Sequence, residues 1–105
     1  MNLQQLRFVR EAVRRDFNLT EVGNALFMSQ SGVSKRIREL EIELGVDIFV
    51  RKGKRIIGLT VAGRDVAAIA ERILDEAEAL RRCARGHWGA ASGLVQAGQD
   101  GAGLQ

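Results

Sequence analysis

The sequence predicts a mostly α-helical fold with one small β-hairpin and a long C-terminal helix. Three observations support this fold class. Apolar residues recur at helical spacing in three early segments and again over residues 61–85. Between residues 46 and 59 the pattern changes to alternation, which is typical of short strands. The chain also has no proline and only 5% aromatic residues, a composition that suits helices.

The first helix is indicated by apolar residues spaced three or four apart on one face, with arginines on the other. These apolar residues are Leu3, Leu6, Val9 and Val13. We expect this helix to end near Asp16-Phe17. A second, short helix follows, because Asn18 has the character of an N-cap and Glu21, three residues later, completes the pattern of a capping box.

The third helix has the clearest amphipathic pattern in the chain. Ser29 is its candidate N-cap, and Gly45 is a stop signal directly after its last apolar residue. Its buried stripe is predicted to consist of Val33, Ile37, Leu40 and Leu44. The opposite face carries Gln30, Ser31, Ser34, Lys35 and Arg38.

The β-hairpin is predicted from alternation of Val46, Ile48 and Val50 with other side chains, followed by a return strand over residues 56–59. Its turn is basic, with four positive charges in the five residues 51–55. Two short helices joined by a tight turn, with a basic hairpin behind them, predict a winged helix-turn-helix.

The long helix is predicted over residues 61–85, about 37 Å at 1.5 Å per residue, with Thr60 as its cap. Val66, Ile73 and Leu80 lie seven residues apart, and so long a stripe is expected to pair with a second copy of the chain. The predicted dimer interface is Val66, Ile69, Ala70, Ile73, Ala77 and Leu80. The predicted domains are therefore a DNA-binding winged helix-turn-helix at 1–59, a dimerisation (linker) helix at 60–85, and a flexible Gly/Ala-rich tail at 86–105.

Composition narrows the classes of function. The net charge is +3, and residues 1–59 hold eleven Lys/Arg against seven Asp/Glu, which favours nucleic acid as partner. One histidine and one cysteine leave no coherent nucleophile–base pair and no metal site, so we do not expect an enzyme. The absence of a signal peptide and of an apolar run of about 20 residues predicts a cytoplasmic protein without membrane contact.

On the polar face of the third helix, Gln can pair bidentately with adenine, Ser is short enough to reach any base edge, and Lys or Arg favours guanine or phosphate. Taken alone, such a face is more often a solvated polar surface, and the capped second helix and the basic hairpin are what favour DNA binding. Residues 29–41, SQSGVSKRIRELE, then Leu44-Gly45, Phe49-Val50-Arg51 and the run LTVAG at 59–63, resemble the N-terminal signature of LysR-type transcriptional regulators. The opening MNLQQLRFV, with NLTEV and FVRKGKR, is more similar still to the cysteine-regulon activators of that family.

This resemblance covers about residues 1–85 and implies a winged helix-turn-helix followed by a dimerising linker helix. It implies base-facing roles for Gln30, Ser31, Ser34 and Lys35. Contacts to the DNA backbone or from the wing are predicted for Thr20, Ser29, Arg38, Arg51, Lys54 and Arg55. In the subgroup the targets are promoters of sulfur-assimilation genes. Acetylated serine metabolites act as inducers on an effector domain that this sequence lacks, so we expect no cofactor and no inducer site here.

The sequence therefore predicts a homodimer that binds promoter DNA sequence-specifically, as the DNA-binding domain of a LysR-type regulator of sulfur-assimilation or cysteine genes. The alternative is a truncated dimerisation module that pairs with a full-length regulator and inhibits it. Both hypotheses use the helix at 61–85, and they differ in whether residues 29–55 are needed.

Overall fold

The computed structural model describes the backbone of residues 1–91 and the side chains of residues 1–87. Its elements in chain order are α1 (Leu3–Arg14), α2 (Leu19–Leu26), α3 (Gln30–Leu44), β1 (Phe49–Lys52), β2 (Arg55–Leu59) and α4 (Val61–Ala91). The predicted fold class, a helical winged helix-turn-helix with a two-stranded antiparallel wing, is confirmed. The chain divides into two compact units, one formed by Met1–Leu74 and a second that begins at Asp75.

The helix starts are set by side chains that accept hydrogen bonds from otherwise free N–H groups. Asn18 accepts from the N–H of Glu21 at 3.1 Å, and Ser29 accepts from that of Gly32 at 3.1 Å, as predicted. At α1, Asn2 and Gln5 form a reciprocal capping box that the sequence analysis missed. The predicted stop at Gly45 is confirmed, since this residue is left-handed with φ 74°.

The connection between α1 and α2 is a tight left-handed turn. The helix ends at Arg14, two residues before the predicted end, because Asp16 and Phe17 both have positive φ, 56° and 65°. The N–H of Phe17 donates to the carbonyl of Ala12 at 2.6 Å. The Phe17 ring meets Phe49 edge-on with centroids 6.2 Å apart, so this turn is packed against the wing.

The turn between α2 and α3 fixes the angle of the helix-turn-helix. Phe27 is left-handed with φ 56°, and the N–H of Met28 donates to the carbonyl of Gly23 at 2.8 Å. A Cβ at position 23 would overlap the carbonyl oxygen of Met28. Gly23 is therefore required for this close approach between α2 and the turn that follows it.

The wing differs from the predicted alternation. Ile48 and Phe49, adjacent in sequence, are both buried, whereas Val46 and Val50 are exposed. The reason is that β1 begins only at Phe49 and its register with β2 shifts between Val50 and Arg51. Before the strand, the backbone is positioned by hydrogen bonds rather than by the pleat.

The peptide groups of Ile48 join three elements. Its N–H donates to a carboxylate oxygen of Glu41 on α3 at 2.7 Å. Its carbonyl accepts from the N–H of Thr60 at 3.0 Å and from the Thr60 hydroxyl at 3.2 Å. Gly63 on α4 lies so close to this carbonyl that a Cβ there would overlap it. The start of α4 is thereby fastened to the entry of the wing.

The core of the first unit is built from α1, α2, α3, the wing and the first part of α4. Its buried apolar residues are Leu6, Phe8, Val9, Ala12, Leu19, Val22, Val33, Ile37, Leu40, Ile48, Phe49, Ile56, Ala70 and Leu74. Leu44, which was predicted to be buried, is partly exposed. Ala70 was assigned to the dimer interface; it is buried in the chain's own core beside Leu74, so that assignment is corrected.

The end of the last helix also differs from the prediction. Helix α4 continues to Ala91, six residues beyond the predicted end at residue 85. Gly86 does not stop it, because a single helical glycine costs only about 1 kcal/mol and no proline follows. The remainder of the predicted flexible tail, residues 92–105, lies outside the described residues. No helix in the described part of the chain is long and apolar enough to cross a membrane.

Candidate nucleic-acid interface

The two faces of α3 separate sharply. Val33, Ile37 and Leu40 are completely buried in the core. On the other side Gln30, Ser31, Lys35 and Arg38 are exposed, and Ser34 is half-buried. The four residues predicted to face bases, Gln30, Ser31, Ser34 and Lys35, therefore lie on the outer side of α3.

The first turn of this surface is ordered by hydrogen bonds between its own side chains. The Ser29 hydroxyl caps the helix and lies 3.3 Å from the hydroxyl of Ser31. The hydroxyl of Thr20, in the first turn of α2, donates to Oε1 of Gln30 at 3.4 Å. Ser29 thus has a structural role as the N-cap of α3, in addition to its predicted contact with the DNA backbone.

A cleft of about 310 Å³ runs between α2, the start of α3 and the wing. It is lined by Asp16, Phe17, Asn18, Leu19, Thr20, Gln30, Lys54, Arg55 and Ile56. Lys54 and Arg55 are exposed and form no ion pair with any carboxylate among the described residues. Their positive charges are therefore available to an anionic ligand along this cleft.

The tip of the wing is a two-residue turn. Lys52 pairs with Arg55 across the hairpin, which leaves Gly53 and Lys54 as the connection. Gly53 has φ 63°, the positive value that the first position of such a tight hairpin turn requires. The turn projects Lys54 beside Arg55, as the predicted basic wing requires.

Arg51 lies away from this wing tip. Its guanidinium donates to both carboxylate oxygens of Glu41 at 2.8 and 3.2 Å and is half-buried. Arg51 therefore has a structural ion pair that matches its charge inside the protein. Its predicted contact with DNA stays a prediction. Arg38 is more exposed and pairs with Asp47 at 3.0 Å and more loosely with Glu41 at 3.5 Å.

Glu41 is the most important residue of this region that the sequence analysis missed. Glu41 is only 2% exposed. Its carboxylate accepts hydrogen bonds from the N–H groups of Ile48 and Phe49 at 2.7 and 3.2 Å. Burial raises the pKa of Glu41, but the hydrogen bonds from Arg51, Ile48 and Phe49 outweigh it, so the pKa lies below its ordinary value. The burial of Glu41 could have been predicted from helical spacing, because position 41 follows buried Ile37 by four residues.

Apart from Ala70, the residues predicted for the dimer interface are either clearly exposed or partly buried. Ile69 and Ile73, in the first unit, are 46% and 38% exposed, and Leu80, in the second unit, is 70% exposed. Val66 packs partly against the core, and Ala77 has intermediate exposure. Large exposed aliphatic side chains at helical spacing are typical of a surface that pairs with another helix.

Metal chemistry finds no support in the described part of the chain, where no group of three potential His, Cys, Asp or Glu ligands comes together. The chemistry available at the surface is therefore hydrogen bonding and positive charge. The hydrogen-bonding groups are those of Thr20 and Gln30, and the positive charges are those of Lys35, Lys54 and Arg55.

Comparison with known proteins gives consistent results. The family model described as bacterial regulatory helix-turn-helix protein, lysR family, matches residues 3–64. The chain is 66% identical over 85 residues to the HTH-type transcriptional regulator SsuR of Burkholderia cenocepacia, which covers 81% of this chain and 28% of the relative. It is 63% identical over 84 residues to the HTH-type transcriptional regulator cbl of Escherichia coli K12, and this match covers 80% of this chain and 27% of the relative.

A solved complex of the CbnR DNA-binding domain with DNA has the same fold, with a TM-score of 0.71 and 29% sequence identity. The match covers 86% of this chain and 99% of that one. The chain thus corresponds to a whole solved DNA-binding domain, while it spans only 28% and 27% of the length of the two regulators. The relatives are transcriptional regulators, not enzymes, in agreement with the sequence prediction.

Proposed function

The chain belongs to the lysR family of bacterial regulatory helix-turn-helix proteins, and from this premise we propose that it binds double-stranded promoter DNA in a sequence-specific manner. The observation that carries the proposal is the surface of α3. Its inner side chains are buried while Gln30 and Lys35 are exposed. Gln30 shares a cleft with Lys54 and Arg55, whose charges have no ion-pair partner among the described residues. This is the arrangement of a recognition helix next to a wing.

Base recognition falls to the first two turns of α3. An amide such as that of Gln30 can hydrogen-bond base edges in the major groove, and Lys35 favours guanine or phosphate. The hydroxyls of Ser31 and Ser34 are short, so they contact only bases that lie directly against the helix. Ser34 is half-buried, which restricts it further to close contacts.

Phosphate contacts come from the cleft and the wing. Lys54 and Arg55 supply charge that no carboxylate in the described part of the chain pairs with, and Thr20 lies at the N-terminal turn of α2 on the same cleft. Contacts of this kind fix the register of the protein on DNA and make its affinity salt-dependent without reading sequence. The wing and α2 therefore position α3 over the bases.

We further propose that α4 pairs two copies through Ile69, Ile73 and Leu80, all of which are exposed. Two recognition helices would then read half-sites separated by about one helical turn or a multiple of it, arranged as an inverted repeat. Similarity to the regulators SsuR and cbl, together with the resemblance to cysteine-regulon activators, supports sulfur-assimilation promoters as the targets.

The proposal is tested by titrating the purified chain against a promoter fragment of a sulfur-assimilation gene and an unrelated fragment of equal length, at two salt concentrations. We expect tighter binding to the promoter that survives the higher salt. Gln30→Ala is expected to cost about 1–3 kcal/mol at one base pair. Gln4→Ala, at an exposed position on α1, is the matched control. It should leave binding unchanged.

Weak and equal binding to both fragments would overturn sequence-specific recognition. The alternative, a dimerisation module that inhibits a longer regulator, shares the exposed residues of α4. It predicts that mixing the chain with full-length cbl abolishes DNA binding by cbl, and that Gln30→Ala has no influence on this inhibition.

A further inference from the structure

We propose that Thr20 selects the bases that Gln30 reads, by holding one end of its side-chain amide. This inference rests on the proposed function, because it assumes that α3 enters the major groove. It gives Thr20 a role beyond the backbone contact predicted from the sequence. It also changes the base that Gln30 is expected to prefer.

The geometry comes from two exposed side chains on different helices. The Thr20 hydroxyl donates to Oε1 of Gln30 at 3.4 Å. Thr20 is the second residue of α2 and Gln30 is the first residue of α3. Their separation is set by the turn in which Met28 closes on Gly23. The contact is thus built into the helix-turn-helix itself.

The other end of the Gln30 side-chain amide, Nε2, has no hydrogen-bond partner among the described residues. Both residues line the cleft that also holds Lys54 and Arg55. Among the described residues, the Thr20 hydroxyl is the only hydrogen-bond partner recorded for the Gln30 side chain. The Nε2 group therefore keeps both of its N–H donors for a ligand.

An amide presents opposite hydrogen-bonding groups at its two ends, and its terminal torsion is broad. A free glutamine can turn either end outward, and with both ends directed at one base it pairs bidentately with adenine. Held at Oε1 by Thr20, Gln30 instead presents donors. Donors match the N7 and O6 acceptors of guanine and the O4 of thymine, and they clash with the amino group of cytosine. The structure therefore favours guanine over adenine at the base pair facing Gln30.

Thr20→Val tests this, because valine keeps the shape of the side chain and removes only the hydroxyl. Thr20→Ser keeps the hydroxyl and is the matched control. Each protein is used to select from a randomised 40-base-pair duplex library, and affinities are then measured for all four bases at every position of the enriched site. Native chain and Thr20→Ser are expected to prefer guanine at the position that Gln30→Ala affects.

In Thr20→Val the preference at that position should change by about twofold to tenfold toward adenine, which is the effect of one modest hydrogen bond. The other positions should be unchanged. Combined with Gln30→Ala, Thr20→Val should cause no further change at that position, since the two residues act through one contact.

Three results would overturn the inference. An equal loss of affinity for all sequences in Thr20→Val would make Thr20 a phosphate contact only. An unchanged preference would show that the hydroxyl does not orient the amide. An adenine preference in the native chain would contradict the assigned orientation. Failure of the native chain to enrich any sequence would overturn the proposed function as well, and so is distinguishable from these three.

Discussion

The carboxylate of Glu41 on α3 and the guanidinium of Arg51 on β1 form a two-bonded ion pair, with N···O distances of 2.8 and 3.2 Å. The same carboxylate accepts the N–H groups of Ile48 and Phe49. A single buried side chain thus connects the C-terminal half of the recognition helix to the first strand of the wing. We therefore expect the angle between α3 and the wing to depend on this side chain.

Replacing Glu41 by alanine is expected to destabilise the chain by about 3–5 kcal/mol, because it leaves Arg51 and two backbone N–H groups without their acceptor. Denaturation in urea, monitored by circular dichroism, measures this change. The control is Glu43→Ala, since Glu43 pairs with the exposed N-terminal ammonium group. Exposed pairs contribute about 0–1 kcal/mol. Equal effects of the two substitutions would contradict the role assigned to Glu41.

The stability of the chain should depend on Glu41 at acidic pH. Its folded-state pKa is lowered, so its contribution is present above the unfolded glutamate pKa of about 4.3 and is lost as the pH falls through the lower folded value. Unfolding of native chain and Glu41→Gln is measured between pH 7 and pH 2. The native chain should lose more stability than the variant over the acid range. Parallel curves would show that Glu41 does not contribute.

Two arginines of the wing region are expected to behave oppositely toward DNA. Arg55→Ala should weaken binding to all sequences about equally and reduce the slope of log affinity against log salt by about one unit, because Arg55 has no internal partner in the described chain. Arg51→Ala should lower stability instead. At a temperature where it is folded it should keep the native salt slope. A reduced salt slope in Arg51→Ala would show that Arg51 contacts DNA as well as Glu41.

Gly63→Ala is expected to destabilise the chain by about 1–3 kcal/mol, the usual cost of overpacking. The new Cβ would overlap the carbonyl of Ile48, and neither backbone can move without disturbing the wing. Gly58→Ala is the matched control in the hairpin, because no atom lies near its added Cβ. Thermal unfolding of the two variants should show a clear loss for Gly63→Ala only.

Ile73→Glu tests the proposed pairing of α4. A charge at this exposed position would be buried in a dimer, so we expect the variant to be monomeric in sedimentation velocity while it remains folded. Val61→Glu is the control, because Val61 is also a β-branched apolar residue, exposed at the start of α4 and outside the predicted stripe. A dimer that persists in Ile73→Glu would place the contact between copies elsewhere.

Local signals in the sequence predicted the helix-turn-helix well, whereas contacts between distant residues did not follow from them. Asn18, Ser29 and Gly45 act on their own helix ends, so residue type and spacing were sufficient. The role of Glu41 did not follow from the sequence, because its partners come from residues 48–51, which no local pattern connects to α3. The assignment of Ala70 failed for the same reason, since only the fold shows that α4 packs this residue into the core.

The hydrogen bonds of the Ile48 peptide groups to Glu41 and Thr60 limit where residues can be inserted into the chain. An insertion before Ile48, or next to Thr60 between β2 and α4, would pull this peptide from Glu41 or from the start of α4. The wing tip is free of that constraint, because open space surrounds Gly53. Between α3 and α4 we therefore expect length to vary at the hairpin turn, where added residues would lengthen the wing and leave α3 in place.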